Sequence, residues 1–201
     1  MSTIPKVLVL FAHPALEKSR INIRLAEAAR KVAGVTFHDL YEVYPDFQIR
    51  VADEQARLRA HETIVLQHPF YWYSCPALLK EWMDHVLTYG FAYGKGGDAL
   101  AEKTLVSAIT TAGPKEAYAR TGANHFTLRE LLAPFEQTAR LCGMRYLPPY
   151  ALQGTVRLTS PAAIQGHADD YGTFLGGLRD GLINHQKVAD YPCLGHGSSD
   201  F

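Results

Sequence analysis

Cysteine is scarce. The 201 residues hold three, Cys75, Cys142 and Cys193, widely spaced and without a CxxC pair. That excludes a disulfide framework and gives no zinc or other metal site, so the three read as reduced thiols. Net charge is also missing, since 20 Lys and Arg balance 20 Asp and Glu. No overall field draws the chain toward nucleic acid, which is not expected as a partner. No run approaches the roughly 18 to 20 apolar residues that a bilayer span requires. Met1 to Pro5 passes straight into the short apolar stretch Lys6 to Ala12, without the charged start or cleavage site of a signal peptide, and a cytoplasmic protein is expected. GxGxxG does not follow the first apolar run and GxxxxGK[ST] is found nowhere; Gly94-Lys95-Gly96-Gly97 fits neither. Dinucleotide Rossmann and P-loop modes of phosphate binding are therefore disfavoured.

With 47% hydrophobic and 20% charged residues, the length suits one domain with a full core. Lys6 to Ala12 is a continuous apolar run of strand length, the pattern of a parallel strand covered on both faces. Ile21, Leu25, Ala28, Ala29 and Val32 then recur at helical spacing, and Gly34 stands where that helix stops. Val35 to Leu40 predicts a second strand, residues 52 to 61 a second helix, and Thr63 to His68 a third strand ended by Pro69. Pro76 opens a third helix with an apolar face of Leu78, Leu79, Trp82, Met83, Val86 and Leu87, and Gly90 follows it as a cap. After a glycine-rich aromatic insertion at 89 to 98, Thr104 to Thr110 is a fourth strand and 127 to 142 a helix with a kink or restart at Pro134, closed by Gly143. Arg145 to Leu152 predicts a fifth strand, placed at an edge because Pro148-Pro149 cannot donate to a ladder. Ser160-Pro161 opens the last helix. Residues 1–184 make one domain, and 185–201 are expected to be a loose or partner-contacting tail.

Alternating strands and helices imply an α/β fold with a doubly wound parallel sheet. For a five-stranded order of 2-1-3-4-5, ligands bind where the winding reverses, between strands one and three. Three loops face that crevice. The first, His13 to Asn22, leads into a helix N-terminus that favours a phosphate, with Ser19 and Asn22 as hydrogen-bonding groups and His13 and Arg20 as charged ones. The competing reading makes Ser19 a helix cap and His13 an ordinary loop residue. The second loop carries four consecutive aromatics, Phe70-Tyr71-Trp72-Tyr73, after a buried strand, which suits the face and edge of a planar heterocycle. A helix-sheet core cluster is the alternative and accounts more easily for two of the four than for all. The third loop, Thr110-Thr111-Ala112-Gly113-Pro114, combines hydroxyls with small residues and is followed by Tyr118, Asn124 and His125, types able to hold or pass a proton.

Taken with Phe11-Ala-His-Pro14, Leu40 to Phe47, Gln67-His-Pro69, Trp72-Tyr-Ser74, Phe91-Ala-Tyr-Gly94 and Leu147-Pro-Pro149, these loops make the chain resemble the flavodoxin-2 family of NAD(P)H:quinone oxidoreductases. That family includes DT-diaphorase and the ancillary flavoproteins of glutathione-regulated potassium-efflux systems, and the resemblance is closest to the latter. It implies a flavodoxin-like three-layer sandwich. It carries His13 and the segment Ser19-Arg20-Ile21-Asn22 onto the flavin phosphate and ribityl site, Pro69 with Phe70 to Tyr73 onto the segment along the isoalloxazine, and Thr110, Thr111, Ala112 and Gly113 onto the family's Thr-Thr-Gly-Gly loop. Tyr118 falls on the tyrosine that the family pairs with a histidine; His125 is its counterpart by type and Asn124 its rival by spacing. The resemblance further implies FMN rather than FAD, since no long adenine-binding extension is present. It also implies a homodimer with Phe91 and Tyr93 over the partner's flavin.

The function expected on this basis is two-electron, ping-pong transfer from NAD(P)H through FMN to a quinone. An alternative is a regulatory subunit of a membrane potassium-efflux transporter, peripheral at the inner face of the membrane. A one-electron flavodoxin carrier ranks last, because its short hydroxyl-rich phosphate loop is replaced by the longer His13 to Asn22 segment.

Overall fold

In the computed structural model, residues 6–195 are described. Five strands run parallel in the order β2-β1-β3-β4-β5, and a sixth, β6, also pairs with β4. They are β1 (Val7–Phe11), β2 (Val35–Asp39), β3 (Thr63–Pro69), β4 (Thr104–Thr110), β5 (Arg145–Tyr146) and β6 (Tyr150–Leu152). β1, β3 and β4 are buried along their whole length, as strands in a sheet covered on both faces must be; β1 is apolar throughout, while β3 and β4 carry buried polar residues such as Gln67, His68 and Ser107.

The alternation of side chains along each strand sorts the core into two layers. Val7, Val9, Phe11, Val65 and Val106 face one cluster with Leu25 and Ala29 of α1 (Asn22–Lys31) and Phe174 and Leu175 of α7 (Pro161–Arg179). Leu8, Leu10, Ile64, Leu66 and Leu105 face the other, which contains Leu40 of α2 (Leu40–Val43) and Leu58 of α3 (Val51–Arg59). Leu79 and Trp82 of α4 (Ala77–Val86) complete that layer.

The expected helix at 127 to 142 is two pieces, α5 (Leu128–Leu131) and α6 (Ala133–Leu141), because Pro134 restarts the chain in the first turn of the second. The expected fifth strand is likewise divided, into β5 and β6. Pro148 and Pro149 between them offer no N–H, and the ladder resumes only at Tyr150.

The tail departs from expectation. His185–Val188 forms a short helix, α8, and Leu194 pairs in parallel with Tyr150, taking a hydrogen bond from the Ala151 amide at 3.0 Å. The edge that the prolines were expected to expose is thereby covered, and residues 185–195 are packed rather than loose. Residues 196–201 of the tail lie outside the described residues.

Candidate active site

β1, β3 and β4 end together, so the loops that follow them meet. In the first, the His13 ring is buried, and its Nδ1 accepts the Ala15 amide at 3.2 Å. The ring proton therefore sits on Nε2. Burial pushes the His13 pKa below 6.5 against an opposing effect of Glu17, so the imidazole is a neutral donor rather than the cation expected. Ser19 Oγ accepts the Asn22 amide at 3.0 Å and Asn22 Nδ2 at 3.3 Å. Ile21 holds the cap position of α1, and Ser19, two residues before it, takes the first helical amide and orients the Asn22 side chain. The Asn22 amide group donates onward to Thr110 Oγ1 at 3.1 Å, buried. Ile21 is a core residue, and only its backbone remains for a ligand, while the Arg20 side chain is exposed. The Arg24 and Leu25 amides of the first turn donate to Ile21 O at 3.0 and 3.1 Å, which leaves Ile23 as the first-turn amide with no acceptor within the helix.

In the second loop, the Ser74 amide closes on Tyr71 O at 2.9 Å, with Trp72 at φ 48° and Tyr73 at φ 62°. Two left-handed residues in succession make a turn of the kind that joins antiparallel strands, normally built on Asn-Gly. Bulky side chains there store on the order of 1 kcal/mol or more each. The exposures are 43% for Tyr71, 93% for Trp72 and 49% for Tyr73, so these three are not a core cluster. Phe70, half-buried, meets Tyr73 edge-on at 6.4 Å and Tyr118 at 6.2 Å. Tyr71 stands edge-on to His13 at 6.2 Å, which joins the first loop to the second.

The third loop is anchored from behind. The Thr111 amide donates to Leu152 O, the Gly154 amide to Gly113 O, and Thr111 Oγ1 to Gly113 O at 2.8 Å. Ala112, where the family has glycine, is not among the described residues of positive φ, so the replacement strains nothing. Gly113 is needed for closeness: a Cβ there would stand 3.3 Å from the Tyr118 ring. Burial pushes the Tyr118 phenol above 10, a hydrogen bond with Thr111 opposes this, and the group stays protonated near neutrality. The far flank of Tyr118 borders a cavity of about 220 Å³ walled in part by Arg129, Gln153 and Cys193.

Two expectations fail here. His125 is exposed, and among the described residues no hydrogen bond joins it to Tyr118; Asn124 instead accepts the Tyr73 hydroxyl at 3.2 Å. Phe91 is 4% exposed within its own core, with the Arg59 guanidinium over its ring at 4.7 Å, so it is not free to roof a partner's cofactor. Tyr93 is half-buried and packed edge-on against Tyr89, the aromatic of that insertion that does reach solvent, at 66% exposure. Nothing in the sequence distinguishes Tyr89 from Phe91 and Tyr93, which carry the same aromatic signal. Among the described residues no group of His, Cys, Asp and Glu could hold a metal ion, and no helix is long and apolar enough to cross a membrane.

The sequence profile of the flavodoxin-2 family, described by its flavodoxin-like fold, matches residues 5–175. The chain belongs to that family. The glutathione-regulated potassium-efflux system ancillary protein KefG of Pectobacterium carotovorum subsp. carotovorum (strain PC1) is 49% identical over 87% of this chain and 95% of its own. Among solved structures, general stress protein 14 of Treponema denticola in complex with FMN superimposes with a TM-score of 0.81 at 39% identity, over 87% of this chain and 99% of that one. An NADPH-quinone reductase of P. pentosaceus does so with 0.75 at 36% identity, over 84% and 96%. In this family member the tail beyond residue 175 lies outside the matched segment.

Proposed function

We propose that the chain is an FMN-dependent NAD(P)H:quinone oxidoreductase. One observation carries the reading: three consecutive aromatics held out of the core on a strained turn that meets the first loop at His13, beside the Asn22–Thr110 bond at the start of α1. A hydrophobic rim costs solubility unless something flat covers it, and a flat ring with a phosphate tail fits both halves. The neutral His13 Nε2–H, the Asn22 side chain and the Ile23 amide at the N-terminus of α1 would hold the phosphate and ribityl chain. The backbone of Pro69 to Tyr73, with Thr110, Thr111, Ala112 and Gly113, would line the ring. FMN, once bound, supplies the acceptor and donor of two electrons.

The protein's own part is to position and to exclude. Tyr71 to Tyr73 narrow the slot so that a nicotinamide and then a quinone occupy the same face in turn. The Phe70, Tyr71, Ser74 and Thr111 amides are spent on backbone oxygens, so the Trp72, Tyr73, Ala112 and Gly113 amides are the ones that would donate to the ring edge where negative charge grows. Tyr118, protonated at neutral pH, holds a proton beside that edge. To test this, the purified chain is loaded with FMN, NADPH is added to bleach the absorbance near 450 nm, and menadione is added to restore it (the wavelength roughly that of any oxidised flavin). A chain that cannot be loaded with FMN ends the proposal.

The 49% identity to KefG favours a second role, as the cytoplasmic subunit of a potassium-efflux transporter, met at the inner face of the membrane. Transporter activation that survives Asn22→Ala, a variant expected to lose flavin, would put regulation ahead of catalysis. A homodimer belongs to the same reading, with Tyr89 rather than Phe91 as the aromatic available to the second subunit.

A further inference from the structure

Among the described residues, five other than glycine have positive φ: Phe47, Trp72, Tyr73, Glu102 and His125. Three of the five make or flank a single hydrogen bond. The Tyr73 hydroxyl donates to Asn124 Oδ1 at 3.2 Å across 51 positions of chain; Trp72 precedes the donor and His125 follows the acceptor. Left-handed backbone at bulky residues persists only where the surroundings over-determine it, and it gathers at functional sites. Each loop is braced within itself. The Ser74 amide binds Tyr71 O on one side, and the Asn124 and His125 amides bind Ala117 O and Gly122 O on the other. Gly122 can carry no side chain, because a Cβ would lie 2.2 Å from Glu116 O. None of these braces crosses from one loop to the other; the Tyr73–Asn124 bond does.

We infer that Tyr73 and Asn124 form a latch fixing the spacing of the second and third loops, and that Asn124, not His125, is the positioning residue for Tyr118. The inference rests on the flavin reading of the crevice above. The path from latch to phenol is short. Tyr73 meets Phe70, Phe70 meets Tyr118, and the Asn124 amide ties its end of the loop to Ala117, the neighbour of Tyr118. With the latch closed, the phenol has one place beside the ring edge. With it open, the turn at Trp72 loses the only hydrogen bond described between its side chains and the third loop, and the strain at Trp72 and Tyr73 is free to relax.

Hydrogen exchange on the full-length, cofactor-free protein tests the latch. Tyr73→Phe should speed exchange at the Asn124 and His125 amides, and Asn124→Ala at the Ser74 amide, by about threefold to tenfold, the range one hydrogen bond yields. Asn124→Asp, which keeps an acceptor, should retain protection. Changes confined to the substituted loop overturn the latch. In the FMN-loaded enzyme, Tyr73→Phe and Asn124→Ala should each lower kcat about tenfold with KM little changed. The double variant should be no worse than either single one, because the two residues act through the same contact. His125→Ala should match the parent. Additive losses, or an equal loss in His125→Ala, overturn the positioning role. The exchange measurement needs neither flavin nor turnover, so a parent chain that binds no FMN refutes the functional proposal and leaves the latch to be decided on exchange.

Discussion

Asn22 and Thr110 are 88 positions apart, and the Asn22 side chain donates to the Thr110 hydroxyl at 3.1 Å in a buried setting. The bond ties the first residue of α1 to the last of β4, and Ser19 holds the same amide group from the other side at 3.3 Å. One side chain thus locks two of the three crevice loops together at the point where the phosphate tail is proposed to begin.

Asn22→Ala is therefore expected to fold but to bind FMN at least tenfold more weakly, measured by quenching of flavin fluorescence. Leaving Thr110 without its partner should also lower stability by about 1 to 2 kcal/mol. An unchanged dissociation constant would move the phosphate site away from α1.

The strands were legible in the sequence because β1, β3 and β4 are apolar-rich segments of strand length, as burial on both faces requires; their order followed only from the doubly wound pattern that the alternation with helices suggests. The loops were legible as locations but not as geometry. Nothing in Phe70 to Ser74 announces a doubly left-handed turn, because the usual signal is Asn-Gly, and the long-range contact that accompanies the turn, Tyr73 with Asn124, is not written in the local sequence. The choice between Asn124 and His125 was equally hidden, since it depends on a partner 51 residues earlier. Periodicity could not find the packing of Leu194 on β6 either: a single residue pairs there and no pattern precedes it.

Trp72 separates folding from binding. With 93% of its surface exposed and φ at 48°, it contributes little to the core and strains the backbone. Trp72→Gly should raise the melting temperature of the cofactor-free protein, by about 1 kcal/mol of relieved strain offset in part by greater freedom when unfolded. FMN affinity should fall as the stacking surface is lost. A melting temperature that drops together with the affinity would show that Trp72 packs as core.

Tyr118 is protonated at neutral pH because burial holds its pKa above 10. Tyr118→Phe keeps the ring against Phe70 and removes only the hydroxyl, so flavin content should be unchanged while kcat with menadione falls about tenfold or more. Equal steady-state rates would take the phenol out of the mechanism.

Far from the crevice, Glu54 is 0% exposed. It accepts from Tyr44 Oη at 2.7 Å and Trp82 Nε1 at 2.9 Å, with His38 Nε2 also at 2.9 Å. Burial pushes its pKa up, but the bonds from His38, Trp82 and Tyr44 outweigh that and bring it from 4.5 down to about 2. A carboxyl lowered on folding gives stability that is full above its unfolded pKa and is lost as pH falls through its folded one. The melting temperature should therefore drop between roughly pH 4.5 and pH 2. Glu54→Gln should flatten that drop and lower stability at pH 7 by about 2 kcal/mol, since a carboxamide cannot accept from all three donors. Parallel melting curves for parent and variant across that range would assign the acid sensitivity to other groups.

The tail beyond Asn184 supports the sheet edge. Val188 and Leu194 are buried, the Leu194 amide donates to Pro149 O at 2.8 Å, and Arg129 Nη1 donates to Ala189 O at 2.7 Å. Deleting residues 185–201 uncovers both aliphatic side chains, worth about 1.5 to 3 kcal/mol each, and reopens β6 as an unpaired edge able to recruit another chain. The truncated protein should melt several degrees lower and scatter light at concentrations where the full chain stays clear. Leu194→Ala separates the two effects: it keeps the backbone pairing and loses side-chain burial, so stability should fall by about 2 to 3 kcal/mol without scattering. A truncated chain that melts with its parent would make the packed segment dispensable and leave β6 protected by its own brevity.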